Sequence, residues 1–153
     1  LFATGLIDDV IIANAFATEE ELRTLAAVSP DILELRLETV DGISAVEQKI
    51  LFEELHFNRG DVSDYMVRST QPRVKYKGEK FPAWNTPKLE PGDVVIESSL
   101  YDRYAGEVQI VRRPMPNSGK SNVVARVVPQ ERFLLASIQS WTKFRFQRAV
   151  PIE

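Results

Sequence analysis

Residues Leu33-Glu34-Leu35-Arg36-Leu37-Glu38 alternate strictly between leucine and a charged residue, and no other feature constrains the chain as much. A period of two puts three leucines on one face of a β-strand and three charges on the other, so the segment needs a core on one side and water on the other. Further short runs of β character follow at 64–69, 73–77, 93–97, 107–113, 122–128, 132–137 and 143–148, separated by turn residues. With the leucine strand they make eight, which predicts a mainly β fold, a closed barrel or sandwich. Ser44 and Glu47 form a capping box that opens a helix to about Leu55, with Val46, Ile50, Leu51 and Leu55 as its apolar stripe. Pro82, Pro87 and Pro91 mark 81–92 as a long loop.

The beginning of the chain has a different character. Val10-Ile11-Ile12-Ala13 is apolar at consecutive positions, as in a strand covered on both faces of a parallel sheet. Thr18 with Glu19-Glu20-Glu21 is a second capping box, whose helix should stop before Pro30. One β-turn-α unit cannot build a sheet, so residues 1–30 read as the last part of a larger α/β domain and 31–153 as a β domain. The first residue is Leu1, which suggests a fragment or a processed product.

Charge follows the same division. Residues 1–55 hold 3 basic and 12 acidic residues, a balance of −9, whereas 56–153 hold 16 and 10, a balance of +6. A positive field over the larger part favours an anionic ligand, with a merely solvated basic face as the alternative. Disulfides and cysteine-based zinc sites are excluded because the chain has no Cys, and with His56 as its one histidine a multi-histidine metal centre is excluded too. No cofactor is expected. No apolar run approaches the roughly 20 residues that span a bilayer, and a pI of 5.3 without an aromatic-rich RNA-binding signature argues against nucleic acid.

Two short strings invite over-reading. Arg59-Gly60-Asp61 matches an adhesion tripeptide, but nothing else points outside the cell. Gly119-Lys120-Ser121 ends like a phosphate-binding loop, yet Pro114 stands where the first glycine belongs, and a strand-like run follows where a helix is required. More informative is the polar run from His56 to Arg73, in which Arg59, Arg68 and Arg73 fall within 15 residues. Arginine forks suit phosphate oxygens, so the run reads either as an anion site or as turn chemistry with Asp61 or Ser63 bonding the backbone. Two further polar clusters, Tyr101-Asp102-Arg103-Tyr104 and Asn117-Ser118-Gly119-Lys120, join later strands.

Several strings together resemble the bacterial 6-phospho-N-acetylmuramidase family. They are Leu55-His56-Phe57-Asn58-Arg59-Gly60-Asp61-Val62-Ser63, Arg68-Ser69-Thr70-Gln71 with Arg73-Val74-Lys75-Tyr76-Lys77-Gly78, Leu100-Tyr101 through Gly106-Glu107, and Asn117-Ser118-Gly119-Lys120 with Asn122-Val123-Val124. The resemblance implies a parent protein with an N-terminal (β/α)₈ barrel and a C-terminal cyclophilin-like β-barrel. That parent would cleave the bond between 6-phospho-N-acetylmuramic acid and N-acetylglucosamine during cytoplasmic cell-wall recycling. Residues 1–30 then correspond to the tail of the (β/α)₈ barrel and 31–153 to a cyclophilin-like closed barrel of about eight strands with one or two helices.

The resemblance also gives the basic portion a partner, a phosphorylated amino-sugar disaccharide. Arg59, Arg68 and Lys120 become candidates for its phosphate or lactyl carboxylate, and His56, Asn58 and Tyr101 for its hydroxyl and acetamido groups. Asp61, Ser69, Arg73, Arg103 and Asn117 complete the expected substrate-binding set. Asn14 joins them because it follows the strand-like run on the side where such barrels do chemistry. Glycosidases use two carboxyl groups. Asp61, Asp64, Asp102 and Glu107 lie in matching strings, but the main catalytic pair is expected on barrel strands outside this chain. The alternative is a stand-alone phosphosugar-binding or lid module. Prolyl isomerisation, the literal reading of a cyclophilin-like domain, is opposed by Phe144-Arg145-Phe146, which is not the Phe-His-Arg string of true cyclophilins.

Overall fold

The computed structural model describes residues 5–61 and 63–149. Residues 1–4, where the expected β-turn-α unit starts, lie outside the described residues, as do Val62 of the polar run and 150–153. Along the chain come α1 (Glu19–Ala27), β1 (Ile32–Thr39), α2 (Ala45–Phe52), β2 (His56–Phe57), β3 (Met66–Ser69), the short α3 (Gln71–Lys75), β4 (Asp93–Glu97), β5 (Val108–Val111), β6 (Ser121–Val127) and β7 (Lys143–Arg148). Stretches of 3₁₀ turn occupy Ser99–Tyr104 and Pro129–Ser137. Among the described residues, no helix is long and apolar enough to cross a membrane.

The strands form one sheet in the order β2-β7-β1-β6-β4-β5-β3, antiparallel throughout except for β1 beside β7. Its two edges, β2 and β3, meet to nearly close a barrel. The seam is stitched by the Arg59 amide donating to the Arg68 carbonyl at 3.0 Å and by the Arg68 amide donating to Asn58 Oδ1 at 3.1 Å. Behind them His56 Nδ1 stands 3.0 Å from Ser69 Oγ, and Nε2 3.1 Å from the Ile50 carbonyl. That carbonyl can only accept, so the neutral ring carries its proton on Nε2, while Ser69 Oγ, beside Nδ1, donates to Gln71 Oε1 at 3.1 Å. Burial pushes the His56 pKa down to about 4. These bonds satisfy edge groups that would otherwise be left as a template for aggregation.

Inside the barrel, β1 buries Leu33, Leu35 and Leu37, as the alternation predicts, against Phe144 and Phe146 of β7, with Ile50 and Leu51 of α2 in the same core. A smaller apolar layer covers the outer surface: Leu89, Val95, Val111 and Val123, with Met115 against them. The expected loop at 81–92 lies here. It pairs Leu89 with Met115 through two 3.0 Å backbone bonds and Asn85 with Val123 on β6. Strands β4 and β5 are therefore buried on both faces.

Three expected strands do not form. The 73–77 run is the end of α3, because Pro72 sits in the first turn, where its fixed φ suits a helix and its missing amide costs nothing. The 132–137 run is 3₁₀ turn entered at Pro129, with Leu134 and Leu135 facing the core and Phe133 facing solvent. Residues 10–13 join no ladder, and Ile11 is 83% exposed. In exchange α2 stops at Phe52, short of the expected Leu55, and the unexpected strand β2 follows at His56–Phe57, so the barrel has seven strands among the described residues. Both capping boxes are present. Helix α1 buries no residue.

Leu35→Ala, which empties a fully buried site, should cost about 2–5 kcal/mol in urea unfolding. Leu22→Ala on half-exposed α1 should stay within about 0.5 kcal/mol of the parent.

Candidate anion-binding site

Neighbours along a strand point to opposite faces, so the side chains next to the core residues Val67, Ile96, Val108 and Ile110 face outward. The register Arg68↔Gln109 and Glu97↔Ser121 then lines up Arg68 (β3), Gln109 (β5), Glu97 (β4) and Ser121 (β6) across the outer face. Glu107, just before β5, is locked opposite Glu97 by two backbone bonds, Glu97 amide to Glu107 carbonyl at 3.0 Å and Gly106 amide to Glu97 carbonyl at 2.9 Å. Beyond the apolar layer, the outer face thus becomes a band of charge.

Glu107 is the centre of that band. Its side chain is wholly buried, and Oε1 accepts from Arg68 Nε at 2.9 Å, Arg68 Nη2 at 2.7 Å and Gln109 Nε2 at 3.3 Å. Oε2 has only Arg73 Nη1 near it, at 3.5 Å, and makes no hydrogen bond. Arg73 reaches over from α3 and donates to the Arg103 carbonyl at 3.1 Å. Three guanidinium groups surround the Tyr104 ring, with Arg73 at 5.1 Å, Arg68 at 5.4 Å and Arg103 at 5.8 Å from its centroid. Tyr104 meets Tyr101 edge-on at 4.7 Å, and Lys120 Nζ sits 5.1 Å from the Tyr101 centroid. Four cations therefore gather on two aromatic rings.

The second carboxyl group has another state. Glu97 is 4% exposed and accepts from Ser121 Oγ at about 3 Å. Burial, reinforced by the charge of Glu107, pushes its pKa up to about 7 against the pull of Ser121, Arg68 and Lys120. Glu97 is thus close to half-neutral at neutral pH.

Most of the expected binding residues lie along this band. Arg68, Arg73, Tyr101, Arg103 and Lys120 form the cluster itself. Asn117 shapes the turn that presents Lys120: Oδ1 accepts from the Gly119 and Ser121 amides, Nδ2 donates to the Ser121 carbonyl at 2.8 Å, and Gly119 adopts φ 80. Strand β6 follows directly, so Gly119-Lys120-Ser121 has no helix N-terminus behind it. Arg59 pairs with Asp61 at 2.7 Å, and the charge of Asp61 reaches Arg68, which places this loop beside the cluster. Asn58 is spent on the seam, and its Nδ2 donates to the Gln139 carbonyl at 3.0 Å. His56 and Ser69 face the barrel interior with no exposed surface. Asn14 is exposed on the segment before α1. Tyr104, Glu97 and Ser121 were not selected from the sequence. The signal available for Glu97 was a carboxylate closing an otherwise apolar strand, Val94-Val95-Ile96-Glu97.

A groove of about 690 Å³ adjoins the cluster, with Arg73, Lys77, Ser99, Asp102 and Arg103 among its walls. The groove along α1 has Glu20 and Glu21 but no basic residue in its walls, which does not suit an anion. Among the described residues, no group of three or more His, Asp or Glu is placed to hold a metal ion.

The family model described as 6-phospho-N-acetylmuramidase, C-terminal, matches residues 33–147. This chain belongs to that family. Among solved structures, an uncharacterized B. cereus protein is 44% identical with a TM-score of 0.86, the match covering 96% of this chain and 42% of the B. cereus chain. The chain thus spans less than half of that relative. A conserved Enterococcus faecalis protein of unknown function matches at 23% identity and TM-score 0.63, over 76% of this chain and 30% of its own. TTHA0988 matches at 15% identity and TM-score 0.56, over 92% of this chain and 25% of its own. Both of the latter share the fold. No curated protein matches.

Two titrations in this muramidase-family domain oppose each other. Glu97, with a folded pKa near 7 against 4.5 unfolded, makes stability fall as pH rises through that window. His56, near 4 folded against 6.5 unfolded, makes stability fall as pH drops through its own. Glu97→Gln should therefore raise the unfolding free energy in urea at pH 8, by up to ~3 kcal/mol, and leave it unchanged below pH 4.5. The variant should also lose stability more steeply than the parent between pH 6.5 and 4.5, where His56 acts unopposed.

Proposed function

We propose that this domain receives the phosphorylated sugar of a 6-phospho-N-acetylmuramidase substrate. In that reading the parent enzyme hydrolyses the bond between 6-phospho-N-acetylmuramic acid and N-acetylglucosamine in cytoplasmic cell-wall recycling. A (β/α)₈ barrel of the same parent carries the catalytic carboxyl groups across a cleft. The observation that supports the reading best is the convergence of Arg68, Arg73, Arg103 and Lys120 on Tyr101 and Tyr104.

The four cations have different work. Arg68 is committed to Glu107 and positions its neighbours. Lys120 and Arg103 make no ion pair within 4.0 Å among the described residues, so their charge is available to a phosphate. Arg73 lies between, loosely held at 3.5 Å from Glu107. A phosphate monoester carries between one and two negative charges near pH 7 and accepts several charge-assisted hydrogen bonds. A protonated Glu97 beneath the site removes a repulsion that an ionised carboxylate would impose.

Titration calorimetry with N-acetylglucosamine 6-phosphate tests this. Lys120→Ala and Arg103→Ala should each weaken binding about ten-fold, and binding should weaken further with added salt. Unchanged affinity in both variants contradicts the reading. Arg68→Ala is the wrong probe, because it would strand a buried carboxylate and destabilise the fold by about 3–5 kcal/mol. Supplying the phosphodisaccharide to this chain separates a catalytic unit, which releases product, from a binding or lid module, which only saturates.

A further inference from the structure

Trp141 carries the only positive φ of a non-glycine residue among the described residues, 64°. A tryptophan held in the left-handed region is strained, and such strain persists where neighbouring contacts impose it. Here they do. The Trp141 amide donates to the Asn58 carbonyl at 3.1 Å, the Asn58 amide to the Thr142 carbonyl at 3.0 Å, and Ser140 Oγ to the Gly60 carbonyl at 3.0 Å. The indole lies against Gly60, where a Cβ would fall 2.5 Å from Cζ2 and 2.9 Å from Cε2. Glycine is thus required at 60 to seat the ring.

All this construction presents an aromatic surface to water, since Trp141 is 67% exposed. The indole walls a concavity of about 540 Å³, with Pro30, Leu33, Asp31, Ser140, Thr142 and Lys143 beside it. One flat apolar plane among hydroxyl, carboxylate and ammonium groups suits a pyranose, which has an apolar ring face and a polar rim. An apolar protein partner would call for more greasy surface than this. Asn58 ties the seat to the anion-binding cluster: its carbonyl accepts from the Trp141 amide at 3.1 Å and its Oδ1 from the Arg68 amide at 3.1 Å.

We infer that Trp141, seated on Gly60, is a stacking platform for the uncharged sugar ring next to the phosphorylated one. The inference rests on the phosphosugar reading above and adds a second subsite to it. It also explains Arg59-Gly60-Asp61 without adhesion, through the room that only glycine leaves.

Two measurements on this chain test it. In an NMR titration with N-acetylglucosamine, the Trp141 indole resonance should shift saturably, while that of Trp84, which donates to Glu47 at 3.3 Å, should stay put as the internal control. Trp141→Gly, which suits φ 64, should fold with an unchanged or higher thermal midpoint. It should bind the phosphodisaccharide ~5–10-fold more weakly, and N-acetylglucosamine 6-phosphate and inorganic phosphate as before. An immobile Trp141 resonance in the parent, or full phosphodisaccharide affinity in the folded variant, overturns the platform and leaves the phosphate site standing. Failure of the parent to bind phosphate or phosphosugar at all overturns both.

Discussion

The contact between Arg68 and Glu107 holds the outer face together. A wholly buried carboxylate is costly unless a cation and further donors compensate it, and here Arg68 and Gln109 do so at one oxygen while Arg73 approaches the other. The consequences run outward from that pair. Arg68 and Arg73 are brought to the Tyr104 ring, Tyr104 braces Tyr101, and Tyr101 lies under Lys120. Burial, with the charge of Glu107 adding to it, keeps Glu97, its cross-strand neighbour, close to half-protonated near neutrality. A single ion pair thus sets the positions of the cations.

The same strand that supplies Arg68 closes the barrel. Its Arg68 carbonyl accepts from the Arg59 amide in the loop after β2, its Arg68 amide donates to Asn58 Oδ1, and its inward neighbour Ser69 meets His56. The cluster is therefore tied to the seam, and the loops carrying Asp61 and Trp141 are tied to it as well. A site assembled from the outside of a closed barrel needs such ties, because its groups come from loops and not from the core.

How much of this was legible depended on whether local rules or tertiary contacts decided. The Leu33–Glu38 alternation and the Thr18 and Ser44 capping boxes are local, and each appears as the rules require. Pro72 and Pro129 are local signals as well: the runs after them carry β character, but a proline in the first turn argues for helix. The basic cluster was half legible. Arg68, Arg73, Arg103 and Lys120 stand out as charges, but adjacent strand residues face opposite ways, so Arg68 outside requires Ser69 inside. His56 and Asn58 looked like ligand groups because they are polar, whereas the seam consumes them. Tyr104, Glu97 and Ser121 gain their role only from register, which a single sequence does not display.

The account stands on one claim, that the cations around Tyr101 and Tyr104 receive a phosphate. A crystal structure of this chain grown with N-acetylglucosamine 6-phosphate tests it most directly. The account predicts phosphate oxygens within about 3 Å of Lys120 Nζ and the Arg103 guanidinium, with the Arg68–Glu107 pair intact. Phosphate bound away from Tyr101 and Tyr104, or a ligand that displaces Arg68 from Glu107, would contradict it.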